Sequence, residues 1–341
     1  MRSHLRPLAA ATVMCLLMPV VASCSAIGGA SGNDKVVRVY SGRHYGVESA
    51  FDKFGKDTGI KVQYLFGSDA DLRERLKTEG DDTLADVYLT VDVANLALAA
   101  NADLLRPLQT PTLDKAIPAA YRDPQDRWIG LALRARTMIY NPDKVKPEEL
   151  STYAAVGDPK WRGRLCLRNS TATYTQSLVA SLIAHEGYDG AKKIVRGWVD
   201  NRPTYINSDP EIVRTVAAGG CDVAIVNHYY LAQELVKKPD LKVKIFWADQ
   251  AGRGTHVNLS GAGVTKYADD PELAQRFIEW LATEGQQIFI STSEEFPANP
   301  SASPTDTVKA LGSFKADEIE AAKIGDLNAD SIRLMDEVGY K

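Results

Sequence analysis

The chain has 341 residues, 45% of them hydrophobic, and its 40 Lys and Arg face 44 Asp and Glu for a formal net charge of −4. A mildly acidic balance of this kind argues against nucleic acid or anionic lipid as the main partner. The length is too great for one typical core and suits two lobes.

The first elements concern export. Arg2 and Arg6 form a short basic head, Leu8 to Ala22 is an apolar run without charge, and Val21-Ala22-Ser23-Cys24 follows. A basic head, a short apolar core and small residues mark a secretory signal, and the run is too short for a comfortable membrane span. Val-Ala-Ser-Cys resembles the bacterial lipobox, in which the Cys is lipidated and becomes the mature N-terminus. The expectation is a signal peptide over 1–23, lipidation of Cys24 and a flexible Gly/Ser-rich tether over 24–34. A plain signal peptide cut nearby is the alternative. Removing Arg2 and Arg6 with no acid leaves 38 basic against 44 acidic residues, a net charge of −6. The mature protein is expected to be exported and lipid-anchored, at the outer face of the cytoplasmic membrane or in the periplasm.

From Lys35 the pattern alternates. Strands are predicted at Val36–Tyr40, Ile60–Phe66 and Ala85–Thr90, with helices at Val47–Lys56, Ala70–Glu79 and Val93–Ala100. After Trp128–Leu133 the extended run Thr137–Tyr140 reads as a crossover, stopped by Asn141-Pro142. A second set has strands at Leu165–Leu167, Asp222–Val226 and Val243–Trp247, and helices at Gln176–His185, Ala191–Val199 and Pro210–Ala218. An extended segment, Gly254–Asn258, leads to Gly261–Val264, with helices at Pro271–Thr283 and Gly285–Ser291. The tail after Pro304 reads as helical with breaks at Leu311-Gly312 and Gly325. Such alternation points to βαβ units and an α/β fold, with mostly parallel sheets flanked by helices. Two sets joined by two crossings, near 133–140 and 254–262, resemble a two-lobed bacterial solute-binding protein whose ligand sits in the cleft between lobes. The expected lobes are 35–134 with 258–303, and 135–257, followed by C-terminal helices over 304–341.

Of four cysteines, Cys15 leaves with the signal and Cys24 goes to lipid. Cys166 and Cys221 both fall at strand-like segments, and an even pair in an oxidising compartment reads as a disulfide. Closing that loop is worth roughly 4 kcal/mol in chain-entropy models. A two-Cys metal site is the other reading, and it lacks a neighbouring CxxC or His spacing.

Tyr229 and Tyr230 follow the buried-looking strand Asp222–Val226, and in open α/β sheets ligands gather beyond the carboxyl ends of strands. Tyr45 lies in the turn after the first strand, beside His44, and Tyr174 lies in the turn after Leu165–Leu167. Tyr40, Tyr64, Tyr88 and Tyr140 sit inside or at the ends of extended runs and read as packing residues. Phenolate oxygen is a hard anionic donor of the kind Fe3+ prefers. A free phenol titrates at about 10, so several phenolates near neutrality require a strong Lewis acid. The ordinary reading of any one of these tyrosines is packing or exposure. Three or four phenolates would balance or exceed a 3+ ion, and Arg134 or Arg136 at the first crossing is placed to offset them. His228 beside the pair is a further candidate, whereas His256 in the second crossing reads as structural. No HExxH, EF-hand loop, P-loop or GxSxG occurs.

The motifs YSGRHY, ADVYLTVD, LRAR, TYTQSLVASLIA, CDVAIVNHYY and GRGTHVNLSGAGVTKYA together resemble the ferric-iron-binding proteins of bacterial ABC importers. The likeness is strongest to the cyanobacterial-type group, and it runs from about Val36 to Pro300. The resemblance implies a type II periplasmic-binding-protein fold, no enzymatic activity, and Fe3+ as transported ligand, with a synergistic anion such as carbonate in some members. It implies His44, Tyr45, Tyr174, Tyr229 and Tyr230 as metal ligands and Arg134 as an anion or charge partner. Some relatives carry a second Arg shortly after the tyrosine pair, where this chain has Leu231-Ala232-Gln233. The implied partners are an ABC permease and ATPase, with the receptor itself a monomer. A same-fold receptor for an organic cation such as a polyamine or thiamine is the rival, for which Asp86, Asp92 and Trp247 would supply carboxylates and a stacking face. A hydrolase with a tyrosine-held metal would need a placed general base, and the motifs offer no carboxylate for it.

Overall fold

The computed structural model describes residues 35–43, 46–108, 110–318 and 321–341. The expected signal peptide, Cys24, the tether, His44 and Tyr45 lie outside the described residues. The first half of the chain runs β1 (Val36–Ser41), α1 (Glu48–Thr58), β2 (Lys61–Phe66), α2 (Asp69–Glu79), β3 (Val87–Thr90), α3 (Val93–Asn101), β4 (Leu105–Arg106), α4 (Pro111–Ala116) and β5 (Ile129–Tyr140). The second continues with β6 (Leu165–Arg168), α5 (Thr173–Asp200), β7 (Thr204–Ile206), α6 (Asp209–Ala217), β8 (Val223–Asn227), α7 (His228–Lys237) and β9 (Lys244–Phe246). Then come β10 (Val257–Thr265), α8 (Pro271–Ala282), α9 (Gln286–Ser291), β11 (Phe296–Pro297), α10 (Asp306–Ala310), α11 (Ala321–Asp326) and α12 (Asn328–Val338).

The strands follow the order β2-β1-β3-β10-β5-β8-β6-β7. Parallel pairing is confined to the two ends, where β1 lies between β2 and β3 and β6 between β7 and β8. The crossing strands β10 and β5 pair antiparallel with each other, β10 with β3 and β5 with β8. Each end carries its own cores. Val37, Val39, Phe51, Phe54 and Phe277 belong to one, and Leu165, Leu167, Leu178, Val223 and Trp198 to another. This is the two-lobed solute-binding architecture that the alternating pattern implies.

The extended runs expected at Trp128–Leu133 and Thr137–Tyr140 join in one strand, in keeping with the crossing expected near 133–140. β5 runs unbroken through Arg134 and Arg136, because both arginines are buried against carboxylates, Glu295 and Asp209. Charges in an apolar run signal a loop only when they have no buried partner. Beside this strand β10 approaches closely. A Cβ at Gly261 would stand 2.3 Å from the Ile129 carbonyl oxygen, so this position needs glycine. The two helices expected over 176–199 are both present within α5, separated by a kink at Gly187 with φ 70° and ψ 168°. Gly325, read as a break, lies instead within α11, where it lets the helix approach the Ala94 backbone of α3.

Cys166 and Cys221 form a disulfide with Cα atoms 5.8 Å apart, tying β6 to the entry of β8. The two-Cys metal reading is thereby set aside.

Candidate metal centre

β8 is buried at every position and ends at Asn227, whose extended backbone hands the chain directly to α7. Tyr229 and Tyr230 therefore stand in the first turn of α7, at the carboxyl end of a central strand, as the motif predicts. Tyr229 is fully buried, and its ring packs on the half-buried Tyr230 at 4.3 Å between centroids. Its phenol oxygen accepts from Asn227 Nδ2 at 3.0 Å and from an Nη of Arg134. The Arg134 guanidinium also lies 4.5 Å from the Tyr229 ring centroid. Two donors converging on one phenol oxygen, one of them cationic, suit an oxygen that carries negative charge.

Tyr174 occupies the first turn of α5, half-buried, with the guanidinium groups of Arg136 and Arg168 5.1 and 5.9 Å from its ring centroid. Asn227 joins this tyrosine to the pair. Its Nδ2 donates to Tyr229, and its Oδ1 accepts from Arg136 Nη1 at 3.2 Å. Arg136 is further held by Asp209 Oδ2 at 2.9 Å and the Ile225 carbonyl at 3.2 Å. The structure thus brings Tyr174, Tyr229, Tyr230 and Arg134 into one neighbourhood. His44 and Tyr45 lie outside the described residues, but Arg43, which precedes them, is fully buried and ion-paired with Glu295 at 2.6 Å.

Asn227, Asp209, Arg43 and Glu295 escaped the sequence reading as site residues. Asn227 and Arg43 lie inside motifs already singled out, so adjacency to the tyrosines was their available signal. Asp209 and Glu295 come from distant segments, and no local pattern marks them.

Cationic side chains gather here: Arg134, Arg136 and Arg168 flank the tyrosines, and Arg43 lies behind Glu295. Their field is offset by Glu295 and Asp209 and in part by two further buried acids. Burial, and next to it the Asp92 carboxylate, pushes Asp69 up to about 8, so it is largely neutral at pH 7. Burial likewise raises Asp92 above the usual carboxylate range. Asp92 caps α3 and accepts from Asn258 Nδ2 at 2.6 Å.

His228 and His256 are held by packing and hydrogen bonds. His228 Nδ1 accepts from the Ala135 backbone N–H at 3.1 Å, the ring packs 4.7 Å from Phe296, and burial lowers its pKa to about 4. His256 stands on the second crossing with Nε2 3.2 Å from Ser177 Oγ, as expected of a structural histidine. Burial, then the nearby Arg253, lowers its pKa to about 3. In the unfolded chain that imidazole takes up a proton as pH falls below 6.5, while in the folded protein it stays neutral until about 3. Stability is therefore lost across this window as pH falls, by about 2 kcal/mol at pH 5 from His256 alone. Urea unfolding at pH 7 and pH 5 should show a smaller pH-dependent loss in His256→Asn than in the wild type. Equal losses would contradict the assignment.

Two cavities lie away from these tyrosines. One of about 570 Å³ is lined by Tyr121, Val257, Leu259 and Lys315, and one of about 530 Å³ by Trp247, Asp249 and Gln250. Neither is lined by Tyr174, Tyr229 or Tyr230. Among the described residues no cluster of three or more His, Cys, Asp or Glu could hold a metal ion.

The fold is that of a receptor for a small solute, and the chain belongs to the family described as bacterial extracellular solute-binding protein, matched over residues 49–316. Iron uptake protein A1 of Synechocystis is 37% identical over 326 residues, 92% of this chain and 90% of that protein. The solved structure of Trichodesmium IdiA (FutA), in complex with iron and citrate ligands, is 41% identical with a TM-score of 0.84, covering 90% of this chain and 100% of that one. The apo structure of FutA2 from Synechocystis is 36% identical with a TM-score of 0.82, with coverage of 90% and 100%.

Proposed function

We propose that this protein is the substrate-binding component of a ferric iron ABC importer, capturing Fe3+ through tyrosine phenolates and delivering it to a membrane permease served by an ATPase. The observation that carries this reading is the buried Tyr229 oxygen, held between Arg134 and Asn227, with the Tyr230 ring packed at a tilt against the Tyr229 ring and Tyr174 joined to it through Asn227 and Arg136. The ligand set is Tyr174, Tyr229 and Tyr230, completed by Tyr45 and His44, which follow β1 in the sequence. Arg134 balances charge or contacts a synergistic anion such as carbonate, and the names of the relatives, which bind or take up iron, support the same cargo. The lobes are 35–134 with 258–303, and 135–257. Lipidation at Cys24 would tether this monomeric receptor outside the cytoplasmic membrane, and no helix among the described residues is long and apolar enough to cross it.

The organic-cation reading finds its residues engaged elsewhere. Asp86 accepts from the backbone N–H groups of Arg38 and Asp269, Asp92 caps α3, and Trp247 stacks on Phe314 at 4.2 Å. Thermal unfolding separates the two readings, because a ligand that binds only the native state raises Tm. Ferric ion supplied as a weak chelate should raise Tm by several degrees, and putrescine or thiamine should not. Stabilisation by an organic cation without stabilisation by Fe3+ would reverse the assignment.

A further inference from the structure

Glu295 lies outside every tyrosine motif, yet its carboxylate is fully buried between two arginines. One oxygen meets Arg43 Nη1 at 2.6 Å, and the other lies 2.9 Å from Arg134 Nε. Arg134 is then held on three sides: Nε by Glu295, Nη1 by the Val91 carbonyl at 2.7 Å, and Nη2 on the Tyr229 phenol. The turn that presents Glu295 is itself tightly determined. Glu294 sits at φ 59°, a left-handed conformation that side chains with a Cβ disfavour and that clusters at functional positions. The Ser293 hydroxyl accepts from Arg43, and the Ser293 carbonyl accepts from Gln233 Nε2 of α7 at 3.0 Å. One short turn therefore grips Arg43, Arg134 and the helix that carries both tyrosines.

We propose that Glu295 is a positioning residue of the ferric site. It orients Arg134 on the Tyr229 phenol and anchors Arg43, from which the chain continues into His44 and Tyr45. Its charge also offsets one of the two arginines, so that an incoming trivalent cation meets less repulsion while the phenol oxygen keeps its cationic donor. The inference rests on the ferric reading above.

Glu295→Gln keeps the side-chain shape and removes the charge. Fe3+ affinity should fall by at least about tenfold, the scale typical of partners that orient metal ligands, and the visible phenolate band should shift. Combined with Tyr229→Phe, the loss should be smaller than the product of the two single losses, because both act through one phenol. Should Glu295→Gln not fold, the pair Arg43→Gln with Glu295→Gln removes one charge of each sign and is read in the same way. A folded variant with unchanged affinity and band, or with losses that simply multiply, overturns the positioning role while the wild-type ferric band stands. Absence of that band in the wild type overturns the ferric reading on which the role depends.

Discussion

Tyr229→Phe is expected to weaken Fe3+ binding by more than about a hundredfold and to remove much of the visible colour of the ferric protein. Loss of an orienting partner alone typically costs 10- to 100-fold in metal affinity, and this substitution removes a donor atom itself. Phe retains the ring that packs 4.3 Å from Tyr230 and 4.5 Å from the Arg134 guanidinium, so the change isolates the oxygen. That oxygen also accepts from Arg134 and Asn227. Its removal takes a buried acceptor from both donors, which is worth roughly 1–3 kcal/mol of fold stability. Ferric titration followed by absorbance, with unfolding measured alongside, separates the two effects. An unchanged affinity and spectrum would remove Tyr229 from the ligand set.

Asp209→Ala should destabilise the fold by roughly 3–5 kcal/mol, the range for breaking a buried ion pair by deleting one partner. Asp209 is buried at the start of α6, where a carboxylate is also favoured by the helix dipole. Its Oδ2 accepts from Arg136 Nη1 at 2.9 Å and from the Asn227 backbone N–H at 3.1 Å. Without it, Arg136 keeps a full charge in a buried setting with neutral acceptors at Asn227, Ile225 and Thr175. The damage should extend to iron binding, because Asn227 holds Tyr229 and Arg136 lies against Tyr174. Denaturant midpoints at constant m-value measure the stability term. A loss under about 1 kcal/mol would mean that Arg136 finds another anion.

Much of this site was legible because its donors lie in local signals. Tyr229 and Tyr230 follow a strand whose unbroken apolar run is plain, and Tyr174 opens a long amphipathic helix. The strand-end rule then collects them without knowledge of tertiary contacts. The electrostatic frame was less legible. Arg134 and Arg136 lie on the first crossing, as the sequence places them, but their partners, Glu295 and Asp209, come from remote parts of the chain that no local pattern marks. Gly325 misled for a similar reason, since its role is close approach to α3 and nothing nearby in sequence records that contact. Local periodicity thus located the tyrosines, and long-range charge pairing decided how they are held.

Titration of the apo protein with Fe3+, followed by visible absorbance, tests the central claim most directly. Phenolate coordination predicts a charge-transfer band that grows to a single equivalent and is diminished in Tyr174→Phe and Tyr229→Phe. A protein that stays colourless on saturation, or whose band is untouched by both substitutions, would contradict it.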